Sequence, residues 1–259
     1  MCNLHISFGH CAVNKNVHIA HMIRVLDALL APIARLCVAR GVLFPQVAES
    51  FKRQMVLAAA DRIGAKATDS RVSVMTGLQR RDIARIRRER EPAPLPVNHL
   101  ARLVAAWVAQ GGNPLSRAEF DVLARAIRQD VHPATQLAQL VDAGTVATGV
   151  DDQVTLLTRG YQPLSGSEEQ LDYLARNGAD YLAAATDNVI QSKPPFFERA
   201  VHYNNLSAEA VDQLESIFRE KQQALLEELN ARAADLRPKA PGNARFRAGG
   251  YFYREDEGQ

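Results

Sequence analysis

Apolar residues recur at helical spacing from His18 to Arg40: Ile19, Ile23, Leu26, Leu29, Leu30, Ile33, Leu36 and Cys37. Pro32 predicts a kink in this helix and Gly41 its end, since glycine reaches the left-handed backbone that closes helices. A second helix follows Pro45 and ends near Gly64, with Val47, Phe51, Met55, Leu57 and Ile63 as its inward candidates. After the polar link AKATDS comes a compact pair of helices around Gly77. The three prolines of Glu91–Asn98 then break the pattern.

Beyond that break, Leu100–Val108 reads as a helix with Trp107 as core anchor, stopped by GGNP. Ser116 and Glu119 form a capping box at the head of the next helix. Another helix starts after Pro133 and runs to Gly144, holding Gln136 and Gln139 but no Lys or Arg on its expected outer face. The period then changes to two. Val146, Thr148 and Val150 alternate, Asp151-Asp152 can turn, and Val154 and Leu156 alternate again, which predicts a small β-hairpin. Helix, helix, hairpin is the order of a winged-helix unit. Ser167 and Gln170 predict a capped helix to about Ile190, and a long helix from Ala208 to about Leu236 carries Val211, Leu214, Ile217, Phe218, Leu225, Leu226 and Leu229 as its apolar stripe. The Tyr-Phe-Tyr tail reads as one short strand that docks back on the fold.

The expected fold class is mainly α, with helix-turn-helix and winged-helix-like units, a small β-hairpin and a helical C-terminal region. Residues 1–17 read as a flexible leader, 18–92 as a helix-turn-helix region, 97–163 as a second winged-helix-like unit, and 164–259 as a helical region suited to dimerisation.

The segment Ser70–Glu91, SRVSVMTGLQRRDIARIRRERE, carries the chemistry. A helix-turn-helix needs a small residue where its helices cross, a residue tolerant of positive φ in the turn, and apolar residues at set positions of the second helix. Ser73, Gly77, Leu78, Ile83 and Ile86 meet these needs together, with Val72 and Met75 facing inward from the first helix and Asp69 placed to cap it. With Ile83 and Ile86 inward, Gln79, Arg80, Arg81, Arg85 and Arg88 point out. Arg80–Arg90 holds six arginines, two acids and no lysine, which suits planar recognition of bases and phosphates. Gln79, Arg80, Arg81 and Arg85 are the expected base readers in the major groove; Arg71, Arg87, Arg88 and Arg90 are the expected phosphate contacts.

Charge strengthens this reading. The 259 residues have a formal net charge of only +2, yet residues 1–90 carry 15 Lys/Arg against 6 Asp/Glu, and residues 91–259 carry 16 against 23. A basic first third on an acidic remainder fits nucleic-acid work in the former. The same opposition leaves open a protein-interaction or scaffold module whose basic face docks an acidic partner.

Composition and motifs exclude other classes. With 47% hydrophobic and 23% charged residues the chain is not disordered, and three cysteines do not make a disulfide framework. No apolar run is long enough to span a bilayer. Cys2, His5, His10 and Cys11 match no zinc-ligand spacing, so no metal site and no cofactor are expected. His18, His21, His99, His132 and His202 lack a paired nucleophile or acid, and no phosphate-loop, dinucleotide, nucleophile-elbow or zincin motif occurs, so the chain is not expected to be an enzyme.

TDSRVSVMTGLQRRDIARIRRE, FFERAVHYNNLSAEAVDQLESIFREKQQALLEEL and the closing GGYFY resemble the uncharacterised proteobacterial family known as domain of unknown function 6502, from about Val25 to Tyr253. The resemblance implies a bacterial, cytoplasmic, mostly helical protein with a helix-turn-helix, and it supplies no catalytic residues. From the helix register and the arginines, the expectation is a nucleoid-associated transcriptional regulator that binds double-stranded DNA as a homodimer, with a protein partner or small effector as further ligands. Dimerisation would set two recognition helices on half-sites about 34 Å apart.

Overall fold

The computed structural model describes residues 9–89, 95–149, 151–190, 194–236 and 242–255, with side chains from residue 17 on. The chain divides into two compact units, Met1–Ala93 and Pro94–Gln259. The expected segments 97–163 and 164–259 both fall in the second. The protein is mainly helical, with one small antiparallel sheet.

In the first unit α1 spans Gly9–Ala39, so its first turns take up half of the segment expected as a leader. It continues through Pro32 and ends before Gly41, whose φ of 66° suits glycine. Its apolar stripe is not buried: Ile19, Met22, Ile23, Leu29, Leu30 and Ile33 are exposed, and Leu26, Leu36 and Cys37 only half-buried. Helix α2, Phe44–Ile63, begins with Pro45 in its first turn, where a missing N–H costs nothing, and Gln46 Oε1 accepts from Leu43 N–H at 2.9 Å. A single 3-10 turn, Gly64–Lys66, leads to α3, Asp69–Thr76, and α4, Arg80–Arg88. The core of this unit is Val56 and Ala59 of α2, Val72 of α3, and Ile83 and Ile86 of α4, with Ile63, Ala67 and Leu78 against them.

That core corrects the expected inward face of α2. Val47 and Ile63 are half-buried, whereas Phe51, Met55 and Leu57 are exposed. Helices α3 and α4 are short and cross closely, so the small side chains of Val56 and Ala59, not the large Phe51 and Met55, fit beneath them. Helix α2 therefore carries apolar residues on two faces.

The second unit runs α5 (His99–Ala109), β1 (Leu115–Ser116), α6 (Arg117–Ile127), α7 (Pro133–Asp142), β2 (Val146–Thr148), β3 (Gln153–Leu156), α8 (Glu168–Ile190) and α9 (Ala208–Leu236). The sheet order is β1-β3-β2, all antiparallel, with Val154 of the middle strand opposite Leu115 on one side and Thr148 on the other. The expected hairpin is present, with Asp152 at φ 57° in its turn; Val150 lies outside the described residues, and β1 is an unexpected third strand.

Trp107 anchors this core at 1% exposure. Its indole N–H donates to Asn113 O at 2.8 Å, and its ring meets Phe120 edge to face with centroids 5.9 Å apart. Leu100, Leu103, Val104, Leu123, Ala124, Leu137, Leu140, Val146 and Val154 complete the cluster. Ser116 and Glu119 form the expected reciprocal capping box on α6. Gln136 of α7, expected outward, is 1% exposed, because Nε2 donates to Val131 O at 3.0 Å and Arg128 O at 3.3 Å across the α6–α7 connection.

Helices α8 and α9 bury no residue fully. On α9, Val211, Phe218, Leu226 and Leu229 are half-buried, while Leu214, Ile217 and Leu225 are exposed. The tail 242–255 forms no strand, correcting that expectation, but it does dock back. Phe252 packs at a tilt on Phe218 of α9 (centroids 5.7 Å apart), Tyr251 meets Tyr181 of α8 edge to face (6.3 Å), and Arg245 and Arg247 grip Asp180. These side-chain anchors replace ladder hydrogen bonds. A Cβ at Gly250 would lie 2.7 Å from Gln222 Oε1, which is why the tail narrows to glycine there. No helix among the described residues is long and apolar enough to cross a membrane.

Candidate nucleic-acid interface

The α3–α4 corner is built from a few local bonds. Thr68, not Asp69, caps α3: its Oγ1 accepts from Arg71 N–H at 3.3 Å, because Thr68 has the extended backbone of a cap and Asp69 is already helical. Gly77 follows at φ 74° and ψ 0°, and its N–H donates to Ser73 O at 2.9 Å. Ser73 Oγ donates to Leu78 O at 2.7 Å, so the small residue at the crossing also satisfies a carbonyl of the turn. Thr76 Oγ1 donates to Val72 O and accepts from Leu78 N–H.

The turn delivers α4 with Ile83 at 0% and Ile86 at 4% exposure. Gln79, Arg80, Arg81, Arg85, Arg87 and Arg88 are all exposed, as is Arg71 on α3. Arg90 lies outside the described residues. Gln79 is the N-cap of α4 by backbone geometry, but its side chain makes no capping bond.

Electrostatics divides these cations into two groups. Arg85 is held from both sides, by Glu49 of α2 at 2.5 Å and by Glu89, which also bonds Arg53 of α2. The bonds to Glu49 and then Glu89 raise the Arg85 pKa further. Lys52 and Arg85 hold the Glu49 carboxyl below its usual range. Burial pushes the Glu89 pKa up, but its bonds to Arg85 and Arg53 outweigh that and lower it. Arg87 Nη1 pairs with Asp69 at 2.9 Å while Nη2 donates to Ala67 O at 2.8 Å. The Arg71 guanidinium donates to Lys66 O at 3.3 Å. Arg80, Arg81 and Arg88 form no ion pair with any described residue. Arg81, Arg85, Arg88 and Glu89 together line an open groove of about 370 Å³.

The structure thus brings the predicted base readers Gln79, Arg80, Arg81 and Arg85 to the head and outer face of one short helix. Of the predicted phosphate contacts it commits Arg87 to bracing the corner and leaves Arg88 open. The roles of Glu49 and Arg53 were not foreseen. Each lies 36 residues from its partner, and no local pattern signals such a pair.

Among the described residues no group of three His, Cys, Asp or Glu side chains could hold a metal ion. Of the four candidate ligands near the N-terminus, Cys2 and His5 lie outside the described residues, and of His10 and Cys11 only the helical backbone is described.

No curated protein and no solved structure matches the chain. One family model does, that of a family of unknown function (DUF6502), over residues 109–259. This span is narrower than the likeness read from about Val25, beginning at the end of α5 and holding the FFERAV and GGYFY segments. It covers more than half of the chain, which therefore belongs to this family of unknown function.

Proposed function

We propose that the protein is a DNA-binding transcriptional regulator, with α3 and α4 as its helix-turn-helix and α4 as the recognition helix. The observation that carries this reading is the outer face of α4. Arg80, Arg81 and Arg88 stand exposed without acidic partners among the described residues, while Ile83 and Ile86 fix the opposite face in the core. Exposed guanidiniums at a helix head suit guanine edges, and the uncapped Gln79 amide suits adenine. Arg88 and Arg71 suit phosphates. Arg85 keeps a base-reading role only by exchanging Glu49 or Glu89 for DNA, so Arg80 and Arg81 carry more of the recognition.

The order α5, β1, α6, α7, β2, β3 supports reading the second unit as winged-helix-like. Helix α7 contains no Lys or Arg, which favours a packing role over DNA contact there. A homodimer is supported by the apolar stripe of α1, which lies largely uncovered in one copy, and by the exposed Leu214, Ile217 and Leu225 of α9.

The test is duplex-DNA binding by the full chain, using sites selected from random sequence. Affinity should fall steeply as salt rises, with a log–log slope set by the phosphates neutralised. Arg80→Ala with Arg81→Ala should cost about 1–3 kcal/mol per base-reading contact. Arg88→Ala should weaken all sequences alike and reduce the salt slope by about one. Equal binding by the double variant would remove α4 from recognition. A chain that ignores DNA at about 50 mM salt would favour the basic face as a dock for an acidic protein.

A further inference from the structure

The second unit contains a cavity of about 250 Å³ between the head of α5, the α6–α7 connection and the first turns of α8. Three of its lining residues, Asn98, His99 and Gln136, each carry a buried polar atom with no hydrogen-bond partner among the described residues: Asn98 Nδ2, His99 Nδ1 and Gln136 Oε1. The rest of each side chain is not loose. Asn98 Oδ1 caps α5 by accepting from Ala101 N–H at 2.7 Å, and Gln136 Nε2 is fixed on two carbonyls. Native structures leave few buried polar atoms unpaired, so three such atoms on residues that line one cavity mark its wall as suited to a polar occupant.

The charged lining narrows its class. Asp172 and Arg176 stand one turn apart on α8, the spacing at which opposite charges commonly pair, yet they form no ion pair with each other. The Asp172 side chain bonds no described residue. Arg176 gives Nη1 to Pro96 O, which aims its guanidinium at the head of α5. Glu169 beside them accepts from Tyr161 O–H, and Arg128 is chelated by Asp130 at 2.9 Å. A cation and an anion that form no ion pair among the described residues thus share one lining, next to the positive end of a helix dipole. At about 30 Å³ per water the volume equals about eight waters, the size of an amino acid and smaller than a drug site.

We propose that this cavity binds a small zwitterion, a free α-amino acid. Its carboxylate lies on Arg176 and the first turn of α5, and its ammonium on Asp172. Asn98, His99 and Gln136 complete the contacts to its polar atoms. The site lies wholly within Pro94–Gln259 and its test uses no DNA, so it stands apart from the reading of α4.

The experiment is calorimetry and thermal melting of the full chain against the twenty common amino acids, each at millimolar concentration, with acetate and methylammonium as half-ligands. At least one amino acid should bind saturably and raise the melting temperature. Asp172→Asn has no bond to lose within the described residues and should fold normally, yet it should weaken that binding about tenfold or more, the loss of one charged contact. Gln136→Leu should weaken it as well, and each half-ligand should bind at least about tenfold more weakly than the amino acid. Absence of binding by all twenty would overturn the proposal, leaving ordered water as the occupant. Binding unchanged in Asp172→Asn, or acetate as tight as the amino acid, would equally overturn the zwitterion assignment.

Discussion

Arg87 reaches from the last turn of α4 to Asp69 in the first turn of α3, Nη1 to Oδ1, at 2.9 Å. The same guanidinium holds Ala67 O, so one side chain ties the end of the second helix to the start of the first. A residue of the exposed basic face is thereby part of the corner's frame. Both partners are about one-third exposed, which limits the pair to about 0.2–1 kcal/mol. A double-mutant cycle of Arg87→Ala and Asp69→Ala in urea melts should return a coupling in that range. Arg80→Ala and Arg81→Ala should change stability by less than about 0.5 kcal/mol. A coupling of zero would mean that the pair braces nothing.

Gly77 offers a cleaner backbone experiment. A Cβ there would meet nothing within 4 Å, so replacement is opposed only by its φ of 74°. Gly77→Ala should cost about 1–2 kcal/mol, and Gly77→Asn less, because asparagine tolerates the left-handed region. Equal losses for the two variants would point to a steric cause that the surroundings do not contain.

Trp107 is the only tryptophan, so its emission reports the second unit alone. Trp107→Ala removes the centre of that unit's core and should cost about 3–5 kcal/mol by circular dichroism melts. Trp107→Phe keeps most of the apolar volume and should cost clearly less. A Trp107→Ala loss below about 1 kcal/mol would show that the core closes without it.

The docked tail should respond to acid. Arg245 and then Arg247 hold the Asp180 carboxyl well below the usual aspartate range. A carboxyl with a lowered folded pKa stabilises the folded form above its unfolded value, about 3.9, and loses that contribution as pH falls toward the folded value. Tail contacts should therefore be intact above about pH 4 and weaken progressively below it. Ring-to-ring NMR contacts between Tyr251 and Tyr181 would follow the change. Asp180→Asn should weaken them already at neutral pH, where Asp180 is ionised; contacts indifferent to both acid and that substitution would remove Asp180 as the anchor.

Much of this architecture is legible in the residues themselves. The capping box of Ser116 and Glu119, the stop at Gly41, the switch to period two at Val146 and the turn at Gly77 are local patterns with local causes, and each appears in the structure. The failures share another cause. On α2 the large Phe51 and Met55 outweigh Val56 and Ala59 in any hydrophobic pattern, but a close crossing of helices selects for small side chains. Gln136 reads as outward because it is polar, and only the two carbonyls exposed by the α6–α7 connection bring it inside. At the candidate site the outward arginines are legible from the inward isoleucines. That Arg85 is occupied is not, because Glu49 arrives from another helix.

Helix α4 has only nine residues, so its axis is about 13.5 Å long at 1.5 Å per residue. Laid along a groove that rises 3.4 Å per step, as its proposed role requires, it would face about four base pairs. Four base pairs carry about eight bits and recur about once in 256 positions, whereas a genome presents about 10⁶ or more. A single α4 therefore has too little information capacity to address one locus. Under the proposed reading of α4, any unique address must be spelled by repetition, so the number of copies on the DNA would set selectivity.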